Sequence, residues 1–194
     1  MLKAGAHIVA LDPTGAWWGL RSSADGKAPG FAVTILGGEH GDIPLEPTAG
    51  EVIANFVVDN RADVILDVSL FRKNEQSRFV TDFLATLYRR NRNPMHLFLD
   101  EADSFAPQKP FHGEERMLGA VEDIVRRGRI KGIGVTLITQ RSAVLNKNVL
   151  TQAEILVALR TIAPQDQEAI EAWVKVHGTP EKRDRNQSLL RPFV

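Results

Sequence analysis

Short apolar runs alternating with helical patterns constrain this chain more than any other feature of its sequence. Strand-like runs stand at residues 6–11, 31–36, 64–68, 95–99, 134–140 and 155–160. Helical patterns lie between them. One opens after Pro47 and runs to about Val58, and a second carries Phe79, Val80, Phe83, Leu84, Leu87 and Tyr88. A third spans residues 114–127 with Met117, Leu118, Val121, Ile124 and Val125 on one face, and a fourth runs from Pro164 to His177. This alternation predicts an α/β fold, a mostly parallel sheet flanked by helices, in a single domain of 194 residues. In the first helix Thr48 and Glu51 have capping-box spacing, and Val52, Ile53, Phe56 and Val57 form the expected buried stripe. Residues 146–152 read as a short helical turn, and 1–4 as a last helical turn capped by Gly5. Gly178 and Pro180 close the fourth helix, and 181–185 is a solvated charged run.

The run at residues 95–99 closes on two adjacent carboxylates, Asp100 and Glu101. Pro94 bars a continuing helix, and the run has the length of a buried parallel strand. Successive strand residues point to opposite faces, so the two acids cannot act as one side chain would. Asp100 at the strand end suits a carboxylate held near a Mg²⁺ ion. Glu101 suits one that orients or deprotonates an attacking water. This is the form of a Walker B motif with its catalytic glutamate; a strand running out into a solvated acidic loop is the plain alternative.

Other positions carry two readings each. Asp12, before Pro13-Thr14-Gly15, is a turn-former or a carboxylate at the ligand-binding edge of an open sheet. Trp17 and Trp18 read as a hydrophobic lid on the sheet edge rather than a base-stacking platform. Arg126, Arg127, Arg129 and Lys131 cap a helix end, or are aimed outward by turns at Gly128 and Gly132. Gln140 caps a loop or senses a terminal phosphate. The formal net charge of zero leaves no whole-molecule field for nucleic acid, so any such contact is a local patch. The absence of cysteine excludes disulfides and thiolate metal sites, and the five histidines show no ligand spacing. With no span-length apolar run and no signal-peptide pattern, the expectation is a soluble cytoplasmic protein without a membrane partner.

The acidic strand end, the Arg/Gly-rich helix end and the strand closing on Gln140 resemble, in that order, the HerA/FtsK group of P-loop ATPases. These are hexameric motors that translocate DNA, and the likeness is greatest to HerA-type proteins. It runs from the Asp12-Pro13-Thr14-Gly15 turn to the helix after Arg160. The resemblance implies a RecA/ASCE-type P-loop NTPase-like sheet, ATP and Mg²⁺ as cofactors, DNA and a nuclease as partners, and a homo-oligomer, a hexamer in the intact protein. It assigns Asp100 to Mg²⁺, Glu101 to the water and Gln140 to the sensor. Arg127 and Arg129 match the region that supplies an arginine finger to the neighbouring subunit, and Arg160 is a candidate for a second arginine role. Asp12 would sit beside the nucleotide, although the acid that commonly follows the family's glycine is Ala16 here.

No G-x-x-x-x-G-K-[ST] occurs in the sequence. In the family that P-loop precedes the strand ending at Asp12, and a further segment follows Val194. The expectation is therefore a partial RecA-like domain, the interior of an ATPase core, inactive alone. The missing strand would lie between residues 134–140 and 155–160, leaving two apolar edges that pair directly or drive self-association. A non-catalytic oligomerising or partner-binding module is the alternative function. A stand-alone metal-dependent hydrolase using Asp100, Glu101 and Asp12 is a third.

Overall fold

A computed structural model describes residues 1–178. Strands β1 (Ile8–Asp12), β2 (Thr34–Gly37), β3 (Val64–Asp67), β4 (Met95–Leu99) and β5 (Ile133–Leu137) form one sheet in the order β2-β3-β1-β4-β5. Every pairing is parallel. Helices α1 (Gly50–Asn60), α2 (Lys73–Arg90), α3 (Glu115–Arg127), α4 (Lys147–Leu150) and α5 (Pro164–His177) complete the described fold. The parallel α/β architecture expected from the alternation is what the chain adopts.

β1 lies at the centre and all its residues are buried, as a strand without polar alternation requires when both faces are covered. On one face Val9, Leu11, Val64, Leu66, Leu97 and Leu99 pack against α1, α2 and α3 through residues such as Val57, Phe83 and Ile124. On the other, Ala10, Val33, Ile35 and Ile65 meet Trp17, Leu20, Phe31 and Phe98. The cover there includes a 3₁₀ segment, Trp17–Arg21, which occupies the crossover from β1 to β2 in place of an α-helix.

The start of α1 departs from the sequence expectation. The Thr48–Glu51 capping box does not form; the N-cap is Ala49, with no side-chain cap. Packing sets this end, because a Cβ on Gly50 would lie 2.5 Å from the Phe79 carbonyl oxygen of α2. The same close approach selects the buried stripe. Gly50, Ala54 and Val57 face inward, whereas Val52 is 65% and Phe56 41% exposed.

Two strand expectations also change. The run at 134–140 does not form a buried strand up to Gln140. β5 ends at Leu137, and beyond Ile133 its residues are half-buried or exposed, because only β4 pairs with it. Residues 155–160 form no strand at all. Ile155, Val157 and Leu159 are 82%, 79% and 80% exposed, so the direct pairing of these two segments does not occur. The segment joins no ladder, and the outer edge of β5 is left unpaired. The α4 turn behaves as expected, with the Asn146 side chain accepting from the Asn148 N–H at 2.9 Å. In α5, Ile170 and Val174 are buried and Trp173 half-buried. Pro180, the charged run at 181–185 and the apolar end lie outside the described residues. Among those residues no helix is long and apolar enough to cross a membrane.

Candidate functional site

The strand order places the C-terminal ends of β3, β1 and β4 side by side, bringing Asp67, Asp12 and Asp100 to the edge where open parallel sheets bind ligands. Their surroundings differ. Asp12 is fully buried, and Oδ1 accepts from Thr14 N, Thr14 Oγ1 and Gly15 N at 2.9, 2.8 and 2.8 Å. Its Oδ2 accepts from Trp17 N at 2.8 Å. Both oxygens are thus engaged in holding the loop that follows β1, which is the work of a turn-former. Asp67 accepts from Ser69 N at 2.9 Å, and the Gly38 backbone lies against it. Gly38 has φ 66°, and a Cβ there would fall 1.8 Å from Asp67 Oδ2, so this turn requires glycine. Asp67 ends its strand as Asp12 does and lies in register with it.

Asp100 extends the β1–β4 ladder, its N–H donating to the Leu11 carbonyl at 3.1 Å. It is half-buried, and its Oδ2 accepts from the indole Nε1–H of Trp17 at 2.9 Å. Among the described residues Oδ1 accepts no hydrogen bond. The Trp17 ring lies against Phe98 at 5.4 Å and forms part of the smaller core, as a lid would. Trp18 is instead 43% exposed and meets His40 at 4.2 Å. No group of three possible metal ligands occurs among the described residues. A carboxylate oxygen that accepts no hydrogen bond nevertheless fits Mg²⁺, which takes one or two carboxylates and completes its shell with waters and phosphate oxygens.

Glu101 has left-handed backbone, φ 42° and ψ 53°. For a residue with a Cβ this costs on the order of 1–3 kcal/mol and persists only where the surroundings impose it. They do so here, because Ala102 is buried and its N–H donates to the Ile138 carbonyl at 2.8 Å. The turn aims Glu101 across the β4–β5 boundary, where its Oε1 accepts from Gln140 Nε2 at 2.8 Å. The neighbouring loop is pinned by Thr139, whose Oγ1 donates to Asp103 at 2.6 Å. The site therefore brings together Asp100, Glu101 and Gln140, with Asp12 reaching it through the Trp17 loop.

The arginines lie elsewhere. Arg127 ends α3 and pairs with Asp123, which holds its guanidinium pKa above the ordinary value; the ring of Tyr88 lies 5.6 Å away. Arg129 lies in the 3₁₀ segment Gly128–Lys131, is 88% exposed and pairs with Glu154 at 3.3 Å. That segment precedes β5, so both arginines sit at the end of the sheet opposite Asp100. Gly128 has ordinary helical backbone, φ −58°, and makes no sharp turn; only Gly132 does, with φ 77°. Arg160 is exposed within the unpaired segment at 155–160.

The family described as helicase HerA-like C-terminal matches residues 86–190. The chain belongs to this family. The match takes in Asp100, Glu101, Gln140 and the three arginines, and leaves out β1 and the Asp12 turn. The DNA double-strand break repair helicase HerA of Pyrococcus furiosus is 29% identical over 104 residues, 54% of this HerA-like chain and 18% of that protein. The probable DNA double-strand break repair helicase HerA of Methanocaldococcus jannaschii is 30% identical over 135 residues, 67% of this chain and 26% of that one. The chain thus spans about a quarter or less of the length of these curated relatives. Among solved structures, the genome packaging NTPase B204 of Sulfolobus turreted icosahedral virus 2, in complex with ATP-gammaS, aligns with a TM-score of 0.46 and 17% identity. That alignment covers 91% of this chain and 85% of the viral one.

Proposed function

We propose that this domain supplies the hydrolytic half of an ATP-driven motor acting on DNA. The observation that carries the reading is the pairing of Glu101 with Gln140 at 2.8 Å, beside Asp100 and on a strained backbone. In the proposed roles Asp100 would hold a Mg²⁺ ion through Oδ1, and the ion would neutralise charge on the phosphates. Glu101 accepts a proton from, or orients, the attacking water. The Gln140 amide fixes the Glu101 carboxylate before nucleotide arrives and contacts the terminal phosphate afterwards. The phosphate cradle comes from outside this sequence, which contains no G-x-x-x-x-G-K-[ST]. Arg127, Arg129 and Arg160, remote from the carboxylates or exposed, serve a neighbouring subunit of a ring. DNA as substrate, a nuclease as partner and the ring itself are inferred from membership in the HerA-like family and the likeness to HerA/FtsK motors.

The test is DNA-stimulated ATP turnover by the protein as its gene encodes it. Glu101→Gln should retain Mg-ATP binding and lose turnover by at least about 100-fold, the usual range for a general base. Asp100→Ala should lose Mg²⁺-dependent binding. Unchanged turnover in Glu101→Gln would sink the assignment.

A second reading is favoured by one specific observation. The outer edge of β5 is unpaired, and Ile155, Val157, Leu159 and Ile162 are exposed nearby in sequence. An apolar segment and an open edge in one chain are what an oligomerising or partner-binding module presents. Sedimentation of the chain at increasing concentration separates the readings: a monomer throughout would remove the module.

A further inference from the structure

We propose that Trp17 is a positioning residue for Asp100, its indole N–H holding one carboxylate oxygen so that the other alone faces a divalent cation. The proposal rests on the reading of Asp100 as the cation's carboxylate. It begins from an unusual feature of Trp17, which binds both carboxylates of adjoining strands. Its backbone N–H donates to Asp12 Oδ2 at 2.8 Å, and its indole Nε1–H donates to Asp100 Oδ2 at 2.9 Å.

Each contact removes a freedom of the ring. The buried Asp12 carboxylate, itself bound by Thr14 and Gly15, fixes where residue 17 leaves the turn. Phe98 lies 5.4 Å away and belongs to the same face of β4 as Asp100, since the two are separated by one residue. The indole is therefore seated before it reaches the carboxylate. An untethered aspartate turns about its side-chain bonds and offers either oxygen. Tied at Oδ2, Asp100 offers Oδ1 in one direction. Donors behind a metal carboxylate act in this way, and their loss typically weakens metal affinity by about 10- to 100-fold. If Trp17 were a lid and nothing more, the N–H would be dispensable wherever the ring shape is kept.

The experiment uses Mn²⁺ with pyrophosphate as the probe, because phosphate oxygens complete the ion's shell, its binding followed by water-proton relaxation on the chain and on Trp17→Phe and Asp100→Ala. The Trp17 indole resonance is recorded in parallel by ¹H–¹⁵N NMR, assigned with Trp18→Phe and Trp173→Phe. In the unaltered chain Mn²⁺ should broaden the Trp17 indole signal first. Asp100→Ala should abolish Mn²⁺ binding and shift that signal to the position of a free indole. Trp17→Phe keeps the ring stack and should weaken Mn²⁺ about 10-fold. Equal affinity in the unaltered chain and Trp17→Phe would overturn the positioning role and leave Asp100 as a ligand. No Mn²⁺ binding by the unaltered chain, with the indole still responding to Asp100→Ala, would remove the cation reading and the positioning role together. An indole signal indifferent to Asp100→Ala overturns the bond itself, and stands whether or not Trp17→Phe folds.

Discussion

β1 and β5 belong to one sheet, yet the first is buried along its whole length and the second is half-open. β1 has a parallel partner on each side and is covered on both faces. β5 has β4 on one side only, and on the less covered face Gly134 is exposed, Thr136 is half-buried and Ile138 is 39% exposed. The candidate site lies between these two environments. Its fixed parts, Asp12 and the Trp17 loop, belong to the β1 side. Gln140 belongs to the β5 side and reaches Glu101 from an exposed loop. The candidate site thus has one buried, hydrogen-bonded wall and one exposed wall.

The largest test of this contrast is truncation of matched leucines. Leu11→Ala on β1, at a fully buried position, should cost about 2–5 kcal/mol in urea unfolding, whereas Leu137→Ala on β5, half-buried, should cost less than about 2. Equal losses would mean that the edge is as well packed as the centre. Replacing Ile155, Val157 and Leu159 together by Lys should change stability by no more than about 0.5 kcal/mol per site, because these side chains contact little. The same variant should sediment as a monomer at concentrations where the unaltered chain associates.

A smaller effect concerns backbone strain on the boundary. Glu101→Gly removes the Cβ from a left-handed position and should stabilise the fold by about 1 kcal/mol while deleting the bond to Gln140. A loss of stability would show that the Glu101–Gln140 pair outweighs the strain.

The smallest effect concerns His96, half-buried on β4, its Nε2 2.7 Å from Thr136 Oγ1 and its ring 4.8 Å from Phe98. Burial, helped by the positive Met1 amino group, holds its pKa below the ordinary 6.5. The unfolded chain therefore takes up this proton first as pH falls. The His96 contribution to stability is complete above about pH 6.5 and declines below it. His96→Thr should flatten that part of the stability–pH curve, and an unchanged slope would assign it to other groups.

Much of this was legible from local pattern. Apolar runs flanked by helical periodicity defined β1, β3, β4 and α2, α3 and α5, because burial on one or both faces leaves a direct mark on residue order. The adjacency of Asp100 and Glu101 at a strand end was likewise written in the chain. The capping box at Thr48 was not realised, because contact between Gly50 and α2 outweighed a local side-chain bond. Residues 155–160 have a strand's composition but no strand, because a ladder requires a neighbour and composition cannot supply one.

The residue types of the site, and their order along the chain, are properties of the sequence. Their arrangement is not. That Asp12 spends both oxygens on its own turn, that the Trp17 indole reaches Asp100, and that Glu101 adopts left-handed backbone to meet Gln140 depend on which strands lie side by side. The pairing of β1 with β4 joins segments more than eighty residues apart. No periodicity carries information over that distance, so the folded sheet alone determines how these groups meet.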